Sequence, residues 1–310
     1  MQKQRLAYIY AAVSVLLWSS VATAFKLALN GLSVTVVLFY SSVVSTAVLL
    51  IVLILQGKTG QLLKQGRKEI IYSAGVGLLN PFIYYLVLFQ AYSLLLAQVA
   101  QPLNYTWAIV LSIMSAIVFR QGIRARDLTA LVLGLVGVLI ISTGGNLSGF
   151  GGSDPLGVAL ALSSSLIWAA MWILNMRDKR DAVLKLFMGF LFGSIYIAIL
   201  LAITTPVSSL LITPLQLFYV AYIGLFEMGL TFVLWLMALE LSGKSSSVAM
   251  LIYFSPFLSL IFIHFILGEN IMLSSVAGLV LIVTGVLLEK WSKRRGGDGS
   301  DEAVDQFLDG

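Results

Sequence analysis

The sequence predicts an all-α integral membrane protein of ten spans, arranged as two inverted five-helix repeats with both termini cytoplasmic. Three observations predict it: too few charges for a wetted surface, apolar blocks of span length, and landmarks that recur half a chain apart. Of 310 residues, 59% are hydrophobic and 11% charged, where a soluble domain carries roughly 25% charged residues. The mean hydropathy is +0.99.

A helix needs about 20 apolar residues to cross the hydrocarbon core. Residues 6–29 form the first such block, too long for the apolar region of a secretory leader, and are expected to be the first span. Residues 34–55 come next, then 70–90 with Asn80-Pro81 at its middle, and 97–119 with Pro102 among four polar side chains. Residues 128–142 close the first half as its shortest block, with Gly134 and Gly137 suited to close helix packing. The second half reads 156–176 around Trp168, 186–203, 215–239 around Glu227, 246–267 with Ser255-Pro256, and 271–288 with Gly278 and Gly285. The domains expected are thus a first repeat over 6–142, a Gly-rich external linker over 143–155, a second repeat over 156–290 and a disordered acidic tail over 291–310.

Orientation is set by the basic residues, which stay on the cytoplasmic side. With the N-terminus inside, every Lys and Arg except Lys26 falls in an inside segment. The net charge of +5 is therefore a topological signal and not a nucleic-acid patch.

Matched landmarks lie about 147–150 residues apart. Trp18 meets Trp168; Gly77, Asn80 and Ala91 meet Gly224, Glu227 and Ala238; Tyr105 meets Tyr253; Gly137-Val138-Leu139 meets Gly285-Val286-Leu287. Five spans per repeat is an odd number, so the second copy sits upside down. Inverted repeats place a substrate site at their interface near the midplane, with rocking of the halves giving alternating access.

Several chemistries are excluded. The chain has no cysteine, hence no disulfide or thiolate metal site, and one histidine, His264. No Walker A or HExxH motif occurs, so neither direct ATP drive nor an intramembrane enzyme is expected. No cofactor or metal is expected.

The polar residues inside spans are the candidate site. Glu227, at the middle of its span, costs about 2.5–3.5 kcal/mol to insert and should face the bundle interior. It reads as a ligand for a substrate amine or a proton-coupling carboxylate, or else as a structural carboxyl between helices. Asn80 is its repeat counterpart, and Tyr84 lies a turn beyond it. Thr231 and Trp235 come after Glu227 at spacings that share a face of an unbroken helix. Gln98, Gln101 and Tyr105 share a face of the fourth span, as cavity wall or as polar packing. Trp18 and Trp168 sit mid-span, away from the interfacial belts where Trp collects, and either stack on a substrate or pack the core. Lys26, about 12 Å from Trp18 along its helix, either snorkels to the interface or holds a substrate carboxylate.

With these residues in view, the chain resembles the EamA-type transporters of the drug/metabolite transporter superfamily. The resemblance rests on Trp18 with Lys26, Ala238-Leu239, Ser255-Pro256-Phe257, Leu267-Gly268-Glu269 and Gly285-Val286-Leu287. Asn104-Tyr105-Thr106-Trp107 is similar to a segment of the superfamily's aromatic amino-acid exporters. Ser19, Ala22, Ala108 and Gln121 depart from the family pattern. The resemblance implies a multi-pass protein of a bacterial inner membrane that exports amino acids or similar metabolites without ATP hydrolysis, and it favours the ligand reading of Lys26. The partners expected are the bilayer, a small-molecule substrate, protons and, as an option, a second copy of the chain, but no nucleic acid. An uncoupled facilitator and, from another class, a non-transporting receptor or scaffold stay open at this point.

Overall fold

A computed structural model describes residues 2–118, 125–146, 153–242, 248 and 250–295. Among the described residues the chain is helical, with no strand. The helices are α1 (Gln2–Leu29), α2 (Val34–Leu55), α3 (Arg67–Gly77), α4 (Tyr84–Leu94), α5 (Ala97–Asn104), α6 (Trp107–Val118) and α7 (Ala125–Ser142), then α8 (Pro155–Arg177), α9 (Ala182–Thr204), α10 (Pro214–Tyr222), α11 (Leu230–Leu241), α12 (Ser255–Leu267) and α13 (Leu273–Arg295). The last helix extends to Arg295. The rest of the expected tail, 296–310, the linker residues 147–152, and Arg120, Arg124, Gln121 and Lys244 of the expected inside loops lie outside the described residues.

Among the described residues, eight stretches are long and apolar enough to cross a membrane, and two shorter apolar helices, Leu128–Ser142 and Leu273–Leu288, accompany them. The distribution of side chains is the reverse of a water-soluble protein's. Leu55, Ile203 and Phe265 are among many large apolar residues left exposed, while Ser14, Ser19, Ser41, Ser45, Ser164 and Thr231 are fully buried. Small hydroxyls suit such an interior, because they let helices approach and can bond back to carbonyls. Ser41 Oγ donates to Val220 O at 3.0 Å and Ser45 Oγ to Met228 O at 2.9 Å, tying α2 to the α10–α11 stretch.

The packing is reciprocal between the chain's halves. α1 packs on α11 and α12, while α8 packs on α4 and α6; α2 pairs with α9, and α7 with α13. Two glycines permit close approaches. A Cβ on Gly77 would stand 2.5 Å from Gly189 O on α9, and one on Gly224 would stand 2.8 Å from Val44 Cβ on α2. Each span is broken just beyond its glycine. Leu78–Ile83 and Ile223–Glu227 are wound as π-helix, whose wider turns leave the regular backbone ladder. Asn80 has extended dihedrals (φ −144°, ψ 120°), and Gly229 (φ −121°, ψ −96°) separates Glu227 from α11. The stretches read as unbroken third and eighth spans are therefore pairs of half-helices. Spacing across Asn80 or Glu227 does not report a shared face.

Candidate functional site

The two breaks put Glu227 and the start of α4 in contact. The Tyr85 hydroxyl donates to Glu227 Oε1 at 3.2 Å, across the two halves of the chain. Tyr85 is fully buried, whereas Glu227 keeps accessible surface. The pair sits in the middle of a span, where the two broken helices meet. A carboxylate so placed has lost most of its hydration and needs a donor or a cation to replace it.

Aromatic rings continue from this pair. Tyr84 lies with its ring centroid 4.7 Å from Tyr85 and 4.5 Å from Trp168; Trp168 lies 6.0 Å from Phe232; Phe232 lies 5.3 Å from Trp18, and Trp18 5.6 Å from Trp235. These are edge-to-face and tilted contacts of the kind that ring quadrupoles favour. The rings come from α1, α4, α8 and α11, so neither half of the chain builds the cluster alone. Polar groups line its flank. Asn104 Nδ2 donates to Ser164 Oγ at 2.8 Å, and the Tyr84 hydroxyl approaches Asn104 Oδ1 at 3.5 Å. Tyr105 is hydrogen-bonded to Ser255, which in turn accepts from Ser19 Oγ at 3.3 Å. Asn104, Tyr105 and Trp18 all retain accessible surface.

Of the residues singled out from sequence, the structure thus brings together Glu227, Tyr84, Trp18, Trp168, Trp235 and Tyr105. Asn80 lies in the first π-helical segment, whose backbone runs beside α9; its Oδ1 and Gln101 Oε1 are buried without a hydrogen-bond partner. Two others stand elsewhere. Gln98 bridges to the loop before α13, donating to Asn270 O at 2.9 Å and accepting from Met272 N at 2.8 Å. Lys26 Nζ donates to Tyr92 O at 2.9 Å and Leu95 O at 2.8 Å, at the C-terminal end of α4. Its ammonium reaches the joint between α4 and α5 and not the aromatic cluster, and it satisfies carbonyls that a helix end leaves open. Across the same joint, the Glu269 carboxylate accepts from Ala97 N at 2.9 Å and Gln98 N at 3.3 Å, capping α5.

Sequence reasoning passed over Tyr85, Phe232 and Ser255 as site members. Tyr85 carried a signal, being the second half of an aromatic doublet beside Asn80-Pro81. Phe232 carried none, since a phenylalanine in an apolar span is unremarked.

On the side where basic residues collect, a second network joins loops. Arg180 bonds bidentately to Asp178, the shortest contact 2.6 Å, and also donates to Gln65 Oε1 and Ser73 Oγ, each at 2.9 Å. Lys58 pairs with Asp181 at 2.5 Å. Burial raises the Asp178 carboxyl, but hydrogen bonds and charge from Arg180, with Lys185 adding to them, leave it below its usual 3.8.

Comparison with known proteins is consistent along the chain's length. The profile of the EamA-like transporter family matches residues 5–143 and again residues 155–289. A protein of Clostridium kluyveri named as an uncharacterized transporter is 28% identical over 244 residues, covering 76% of this chain and 77% of its own. An uncharacterized transporter of Bacillus subtilis is 27% identical over 216 residues, 68% of each chain. One of Archaeoglobus fulgidus is 23% identical over 282 residues, covering 89% of this chain and 94% of its own. A solved crystal structure superposes with a TM-score of 0.66 at 19% identity, over 94% of this chain and 99% of that one, which supports the fold alone.

Proposed function

We propose a specific transport role from one premise: the chain belongs to the EamA-like transporter family, and is a multi-pass membrane protein that transports small molecules. The role is that of a secondary transporter exporting small amine-bearing metabolites, amino acids among them, by alternating access. It is not an enzyme. The observation that carries this reading is the Glu227 carboxylate. It sits at a helix break and is bonded by Tyr85 from the other half of the chain, whose ring adjoins a cluster drawn from four helices. An intramembrane acid is a functional site by default. It can grip an ammonium or exchange a proton as the halves rock, and it is the candidate coupling residue.

Two features support the ten-span inverted repeat with cytoplasmic termini. The reciprocal packing of α1 and α8 is what exchange of two upside-down copies requires, and the family profile matches twice. In this arrangement Leu128–Ser142 and Leu273–Leu288 are the closing spans of the two repeats. Alternating access then consists of movement between the surfaces that meet at the aromatic cluster.

The test is uptake of radiolabelled phenylalanine and phenylethylamine into liposomes holding the purified protein, with and without a pH gradient. Gradient-driven accumulation is expected for the wild type and loss of it for Glu227→Gln, which keeps the side chain's shape but cannot titrate. Wild-type accumulation with unchanged pH dependence in Glu227→Gln would remove this residue from the route.

A further inference from the structure

We infer that the preferred substrate is an organic amine with an apolar or aromatic body and no carboxylate. The inference rests on the proposed role of Glu227 and narrows its substrate class.

The cluster is built for a cation. Among the described residues only Tyr85 hydrogen-bonds the Glu227 carboxylate, and it reaches Oε1 alone, leaving Oε2 for a guest. An ammonium, with donors and no acceptor, is the complement of that oxygen. The ring cluster of Tyr84, Trp168, Phe232 and Trp18, joined to Tyr85, supplies apolar and aromatic surroundings for the body that bears it.

Among the described residues, a substrate carboxylate would have to compete with bonds the protein makes to itself. A zwitterion's second charge would need a cation or a helix N-terminus, and both candidates are already occupied by the protein. Lys26 is the one basic residue placed inside a span by the sequence, and its ammonium is held by Tyr92 O and Leu95 O. The start of α5, whose amides point toward the same joint, is filled by the Glu269 carboxylate. Among the described side chains, Arg180 and Lys58 are engaged by Asp178 and Asp181. A carboxylate brought beside Glu227 would therefore be buried unpaired next to a like charge, which is strongly unfavourable.

A matched series isolates this difference: phenylethylamine, phenylalanine methyl ester and phenylalanine share ring and ammonium and differ in the carboxyl group. Binding to the purified protein in nanodiscs is read by quenching of tryptophan fluorescence and by isothermal calorimetry. The amine and the ester should each bind at least about tenfold more tightly than phenylalanine. Glu227→Gln, shown by size exclusion to be monodisperse, should weaken the amine and the ester by a similar factor or more. Tyr85→Phe, which leaves the carboxylate in place, should keep the ranking and serves if the first variant does not fold. Phenylalanine binding as tightly as the amine, or no binding by the amine or the ester, overturns the inference. If phenylalanine wins and Glu227→Gln still abolishes binding, the site stands and only the substrate class falls. If Glu227→Gln binds all three compounds as the wild type does, the site reading itself falls.

Discussion

Replacing Lys26 with methionine distinguishes a structural lysine from a substrate ligand. Methionine keeps most of the aliphatic stem and removes the ammonium, so Tyr92 O and Leu95 O at the end of α4 lose their two donors. Hydrogen bonds from a charged group contribute about 1.5–3 kcal/mol each before compensation. A cation at a helix C-terminus adds about 0.3–1 kcal/mol. Lys26 is only half-buried, so water can partly replace it, and the variant no longer bears the cost of partly desolvating an ammonium. A net loss of about 1–2 kcal/mol is expected, equivalent to a fall in Tm of about 2–6 °C. Differential scanning fluorimetry in detergent reads that shift. Transport should fall by the same proportion for phenylethylamine and phenylalanine, because the joint between α4 and α5 loosens for every substrate. An unchanged Tm, with transport of phenylalanine alone impaired, would show that the lysine binds carboxylate and that its carbonyl bonds contribute nothing.

Three further outcomes are expected. Gly137→Ala places a Cβ 2.6 Å from Gly278 O, where ordinary contact begins near 3.4 Å; helices α7 and α13 must part, at about 1–3 kcal/mol, and a thermal scan indistinguishable from wild type would contradict the crossing described. The Asp178 carboxyl lies below its usual value, so its bond to Arg180 stabilises the loops above pH 3.8 and is lost as pH falls through the lower, folded value. Hydrogen exchange over residues 178–184 should therefore be flat from pH 8 to 5 after correction for intrinsic rates, and Arg180→Lys, which lacks the planar fork, should raise it at pH 7. For topology, single cysteines introduced into this cysteine-free chain at Asn30 or Ser208 should react with an impermeant maleimide outside intact cells. Cysteines at Lys64 or Lys179 should not, and labelling at either would invert the orientation.

Hydropathy alone located several helix ends closely, although α4 and α13 run on past the blocks 70–90 and 271–288. The expected block 34–55 coincides with α2, and 97–119 begins with α5 and ends a residue beyond α6. Helix ends are legible because the bilayer forbids polar loops at depth. Glu227, Trp18 and Trp168 were legible for a related reason, as residue types out of place mid-span. The local winding was not. Treating 70–90 and 215–239 as continuous helices put Tyr84 over Asn80 and Thr231 over Glu227, and both inferences crossed a break. The partners of Gln98 and Lys26 were illegible for another reason: they are main-chain atoms of distant segments, at Asn270, Met272, Tyr92 and Leu95, and a main-chain group has no letter in a sequence.

The two π-helical turns set the angular phase of the half-helices α4 and α11. Such a turn holds one residue more than an α-turn, and each residue advances a helix by about 100°. The azimuth of α4 about its own axis, and so the direction in which Tyr84 and Tyr85 point, depends on a single residue within 78–83. Deleting it would leave hydropathy and span length almost untouched while turning Tyr85 away from Glu227. Ile223–Glu227 exerts the same leverage on Phe232 and Trp235. Within this architecture, a one-residue gap at either turn changes the chemistry of the cavity wall more than most substitutions in it.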